Sequence, residues 1–69
     1  MLRDETIKAY KDFRFGLDNR LPLFMVQDSY NLLLDAIAAD PTITAETWER
    51  LKEWTKAKFR EFKHMVESC

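Results

Sequence analysis

Glycine, proline, cysteine and histidine are all scarce in this chain, and each scarcity excludes something. One glycine and two prolines leave little material for tight turns, which disfavours a sandwich or small barrel. A single glycine cannot build a phosphate-cradling loop. The one cysteine, Cys69, has no partner for an internal disulfide, and with one histidine there is no Cys/His zinc set. Cys69 is also wrongly placed for prenylation, which requires three residues after the cysteine. No apolar run approaches the roughly 18 residues of a membrane span. No basic start leads into an apolar secretory core. Charge of one sign is missing too: the formal net charge is −1, so no global field draws nucleic acid or an anionic membrane. The expected compartment is the cytoplasm, with no membrane partner.

What the chain does hold is apolar and helical. Hydrophobic residues make up 46 % of it and aromatics 13 %, against 33 % charged residues of both signs. That balance folds rather than staying disordered. At 69 residues it is a single helical domain, residues 1–69, near the size where one core supplies only a few kcal/mol. No linker, repeat or low-complexity segment divides it.

Periodicity predicts three helices, near residues 3–16, 22–39 and 45–67. In the first, Ile7, Tyr10, Phe13 and Leu17 share one face, and Gly16 lies where a left-handed C-terminal cap would end the helix. Pro22 suits the first turn of the second helix, where Val26, Tyr30, Leu33 and Ile37 make one stripe. Met25, Leu32 and Ala36 make another. A helix apolar over more than half its circumference contacts two neighbours, or one neighbour and a second chain. Asp40-Pro41 ends it. Thr44 is a good N-cap for the third helix, with Ile43 and Trp48 spaced as a hydrophobic staple. Trp48, Leu51, Trp54, Phe59, Phe62, Met65 and Val66 then form one amphipathic stripe. The fold class is therefore all-α, a compact three-helix bundle with a long C-terminal amphipathic helix. Its expected core is Ile7, Tyr10, Phe13, Leu17, Val26, Tyr30, Leu33, Ile37, Trp48, Leu51, Trp54, Phe59 and Phe62.

Catalytic and metal-binding patterns are nearly absent. Glu61 and His64 reproduce the E-x-x-H spacing of di-iron bundles, but there is one copy and it falls on the wet face. Asp28, Asn31 and Asp35 share a helix face without the close loop spacing of a calcium site. No catalytic residue, metal ligand or cofactor is expected, and the chain is expected not to be an enzyme. A helix-turn-helix reading would make Asp40–Thr44 the turn. The helix after it leads with Glu46 and Glu49, which would face phosphates. Lys52, Lys56, Arg60 and Lys63 form a second basic face, interrupted by Glu49, Glu53 and Glu67 and so weak for neutralising phosphates.

The residues that break the pattern are mostly apolar. Phe15 and Phe24 project from the polar sides of their helices and flank one connection. Either they meet across that turn and close the bundle end, or they form an exposed patch of the kind that marks partner sites. Lys58 falls inside the apolar stripe, where its stem packs and its ammonium reaches water or meets a partner's carboxylate. The third helix would outrun the first by roughly 15 Å at the standard rise, leaving Phe59, Phe62, Met65 and Val66 as a contact surface unless the second helix or the first residues of the chain cover it. The expected partner-binding residues are Phe15, Phe24, Lys58, Phe62, Met65 and Val66. The function expected is a small cytoplasmic protein–protein interaction module that regulates or inhibits a larger partner by occupying a surface. The alternative is a nucleic-acid-binding regulator acting as a dimer through basic helix faces, which the charge pattern disfavours. A symmetric homodimer through the third helix and the Met25–Leu32–Ala36 stripe is also expected.

Overall fold

Thr44 starts the longest helix as its sequence requires: its Oγ1 accepts the Thr47 backbone N–H at 3.2 Å, which satisfies one orphan donor of the first turn. Ile43 and Trp48 are both half-buried against the core, consistent with a staple. The structure is a computed structural model that describes residues 3–68, so Met1, Leu2 and Cys69, with the readings attached to them, lie outside it. It contains α1 (Asp4–Asp18), α2 (Leu23–Ala39) and α3 (Ala45–Glu67), and no strand occurs among the described residues. The all-α three-helix bundle is the fold observed.

The helices run up, down and up. Gly16 faces Val26 and the Phe13 ring lies 6.2 Å from Tyr30, so α1 and α2 are antiparallel. Tyr30 stacks on Phe59 at 4.3 Å and 11°, while Tyr10 lies 5.6 Å from Trp54. Phe13, Val26, Leu33, Ile37 and Phe62 are buried and draw in a ring of half-buried neighbours. Tyr10 departs from the expected core. It is 39 % exposed, because α1 and α3 meet through long side chains and leave their seam partly open.

The end of α1 also departs from expectation. Gly16 is not its cap: the helix continues to Asp18, and no glycine has positive φ. The left-handed residue is Arg20, with φ 50°. Around it the Leu21 N–H donates to Gly16 O at 3.1 Å and the Arg20 N–H to Leu17 O at 3.4 Å. That pattern is a Schellman motif, and a non-glycine residue in it forgoes about 1 kcal/mol of backbone ease. Gly16 serves instead for close approach. A Cβ there would sit 3.2 Å from Val26 Cγ2, and Val26 is fully buried with a χ1 fixed by β-branching.

Asp40 does more than stop α2. Its Oδ1 accepts the Thr42 hydroxyl at 2.6 Å and the Thr42 N–H at 2.8 Å. Its Oδ2 accepts the Thr6 hydroxyl at 2.7 Å and the Arg3 N–H at 3.1 Å. One carboxylate thus ties the α2–α3 connection to the start of α1, whose positive dipole end favours it. The Thr42 hydroxyl bond, with those of Thr6 and the two backbone N–H groups, outweighs burial and holds the carboxyl well below its ordinary value of 3.8. A depressed folded pKa gives stability that is complete above the ordinary value and is lost as pH falls below it. The melting temperature of the wild type is therefore expected to drop below about pH 4. Asp40→Asn is expected to melt lower at neutral pH with a flatter acid limb. Parallel profiles for the two proteins would show that Asp40 carries no such linkage.

Candidate functional site: the seam between α1 and α3

The side chains of α1 and α3 build a groove because these two helices are parallel and both lean on α2. Its lower half is lined by Thr6, Tyr10 and Arg14 from α1 and by Leu51 and Trp54 from α3, over a floor of Leu33 and Ile37, and it encloses about 490 Å³. Its upper half is lined by Arg14, Leu17 and Asp18 against Lys58, Glu61, Phe62 and Met65, with about 260 Å³. Arg14 belongs to both. The lower half is nearly all apolar, and Arg14 is its one charged side chain. The Thr6 hydroxyl there is already committed to Asp40.

Charges along the upper half are loosely paired. Arg14 reaches Asp18 only at 4.0 Å, and Lys58 reaches Glu61 at 3.8 Å. Pairs of this kind at the surface contribute little stability. Their groups remain open to other contacts.

Of the residues that the sequence singles out, Lys58, Phe62 and Met65 line this seam, but Phe62 does so from beneath. It is 4 % exposed and part of the core. Its place in an exposed overhang is corrected by the register. Tyr10 opposite Trp54 sets Asp4–Asp18 beside roughly Trp48–Phe62, so the excess length of α3 is divided between its two ends. Tyr30 opposite Phe59 sets the start of α2 near Val66. The overhang exists against α1 alone, and Phe59 and Phe62 fall within the bundle. Met65 and Val66 stay just over a third exposed.

Phe15 and Phe24 do not stack on each other: neither ring enters an aromatic pair among the described residues. They are 59 % and 69 % exposed. The up-down-up order places them with Met25, Met65 and Val66 at one end of the bundle. Leu32 and Ala36 open into a different groove, shared with Glu5, Lys8, Ala9 and Asp12 of α1. α1 stands between that groove and the α1/α3 seam, so Leu32 and Ala36 lie on a different flank from Met65, while Met25 shares the Met65 end of the bundle.

The basic face of α3 is partly spoken for. Lys52 pairs with Glu49 at 3.3 Å and lies 4.0 Å over the Trp48 ring, and Lys63 pairs with Glu67 at 4.0 Å. Among the described residues no three His, Cys, Asp or Glu side chains gather as metal ligands would, and no helix is long and apolar enough to cross a membrane. Sequence reasoning missed Tyr10, Arg14, Leu51 and Trp54 as groove walls. Helical periodicity identifies apolar faces but carries no information on whether two such faces close fully. No protein-family model, curated protein or solved structure matches the chain.

Proposed function

We propose that this chain is a small protein-interaction module, without chemistry of its own, that regulates or inhibits a larger partner by occupying its surface through the α1/α3 seam. One observation carries the reading. The α1/α3 seam is bridged only by long side chains, chiefly Tyr10 against Trp54, with Tyr10 39 % exposed above buried Leu33 and Ile37. An apolar depression with a few placed polar groups is the usual form of a binding site. Nothing comparable favours nucleic acid, since Glu49, Glu53 and Glu67 interrupt the basic face of α3 and Lys52 is held by Glu49 at 3.3 Å, which leaves it weak for neutralising phosphates.

The test is capture from a lysate of the source cell on the immobilised chain. Wild type and Leu32→Glu, which alters the other groove, are expected to retain the same partner. Tyr10→Glu is expected to weaken capture at least about tenfold, because the contact would bury an unpaired carboxylate against apolar groups. Circular dichroism first establishes that each variant is folded. A partner lost with Leu32→Glu and kept with Tyr10→Glu would move the site to the α1/α2 flank and end this reading.

A further inference from the structure

We infer that the seam takes an α-helix carrying an apolar stripe and a carboxylate placed to meet Arg14. This rests on the seam being the contact surface and adds the chemistry of what fills it. Length comes first. From Thr6 to Asp18 the two depressions, which meet at Arg14, run beside thirteen residues of α1, a rise of roughly 18 Å, or a little over three turns of an occupant. Tyr10 and Trp54 meet across the seam with ring centroids 5.6 Å apart, so an occupant lies over that aromatic pair, along the furrow between two parallel helices, and completes a four-helix arrangement with ordinary side-chain interdigitation.

Backbone chemistry then selects a helix over an extended segment. A strand seated here would leave its N–H and C=O groups facing Tyr10, Leu51 and Trp54, which offer no ladder of partners. A helix satisfies its own backbone and presents only side chains. Recognition of this kind is read as apolar anchors at i, i+3 or i+4, and i+7.

Charge fixes the remaining feature. In the lower half Arg14 is the one ionised group, and its side chain is 45 % exposed. Asp18 sits at the outer limit of an ion pair, so guanidinium donors remain for a second carboxylate, which the planar fork can grip with two bonds. A lysine at the same place on an incoming helix would meet a like charge beside an apolar wall.

The experiment uses two synthetic helical peptides of fourteen residues, capped at both ends. Both carry leucines at the anchor spacing, and they differ only in a central Glu or Lys. Binding to the full chain is followed by NMR of the two tryptophan indole N–H signals. Trp54 lines the groove and is expected to shift, while Trp48 stays. The Glu peptide is expected to bind about tenfold more tightly than the Lys peptide, within the range of a charge-assisted contact. Arg14→Glu is expected to reverse that order. Equal affinities, an order unchanged by Arg14→Glu, or shifts that avoid Trp54 would overturn the inference. Absence of any shift with either peptide would overturn it too. In that case lysate capture that is lost with Tyr10→Glu would leave the broader proposal standing.

Discussion

Phe62→Asp is expected to abolish the folded state, while Met65→Asp, three residues on, folds almost as the wild type does. Phe62 is 4 % exposed inside the shared core. Aspartate there would both empty the ring's space and place a carboxylate among apolar groups with no partner. An uncompensated buried charge costs about 3–5 kcal/mol. A single core of this size holds about the same amount in total. Met65 lies at the surface, where substitutions stay within roughly 0.5 kcal/mol. Far-UV circular dichroism and sedimentation equilibrium on both variants check the pair. A helical, cooperatively melting Phe62→Asp protein would show that the ring is not part of the core. Should the wild type sediment as a dimer and Met65→Asp as a folded monomer, α3 would be the self-association surface.

Phe13→Ala is expected to remove about 3–5 kcal/mol, the usual cost of truncating a buried aromatic. Phe13 has no exposed surface, and its ring joins α1 to both other helices: it lies 6.2 Å from Tyr30 of α2 and 6.4 Å from Trp54 of α3 in a T-shaped pair. Its removal leaves a void that no neighbour fills, because Val26 and Gly16 already fix how closely α1 and α2 approach. Urea titration of wild type and variant is the measurement. A loss below about 1 kcal/mol would mean that the core collapses into the space. Tyr10→Ala makes a useful contrast, since that ring is partly in water already.

The elements were legible where the signals are local. Thr44 with its cap, Asp40-Pro41 as a stop and the 3.6-residue stripes gave the second and third helices nearly to the residue. The end of α1 was not legible in the same way. Gly16 looks like a terminator by local rules, but its reason is a methyl of Val26 across an interface, a contact ten residues away. Arg20 takes the left-handed position without the residue type that would announce it. Thr55 is polar by type yet fully buried, since its hydroxyl donates to Leu51 O at 2.7 Å. Asp40 reads as a pre-proline breaker, and nothing in its neighbourhood points to Thr6 or Arg3. For the site, the wheel brought Lys58, Phe62 and Met65 to one side correctly. It placed Phe62 both in the core and in the contact surface, and could not decide between them or tell that Tyr10 is left partly open, because that depends on the spacing between two helix axes.

The seam also has a place in time. Contacts between α1 and α2, and between α2 and α3, close over short connections of a few residues, the arrangement that lets helical bundles fold in microseconds to milliseconds. Contacts between α1 and α3 are separated by 44 positions at Tyr10 and Trp54 and carry the largest loop-closure cost in the molecule. They are expected to form last and, having the thinnest packing, to open first, an order that native-state hydrogen exchange reads. On that expectation the groove follows the line of easiest local opening, with the Asp40 carboxylate tying α1 at one end and the Gly16–Val26 contact holding it near the other.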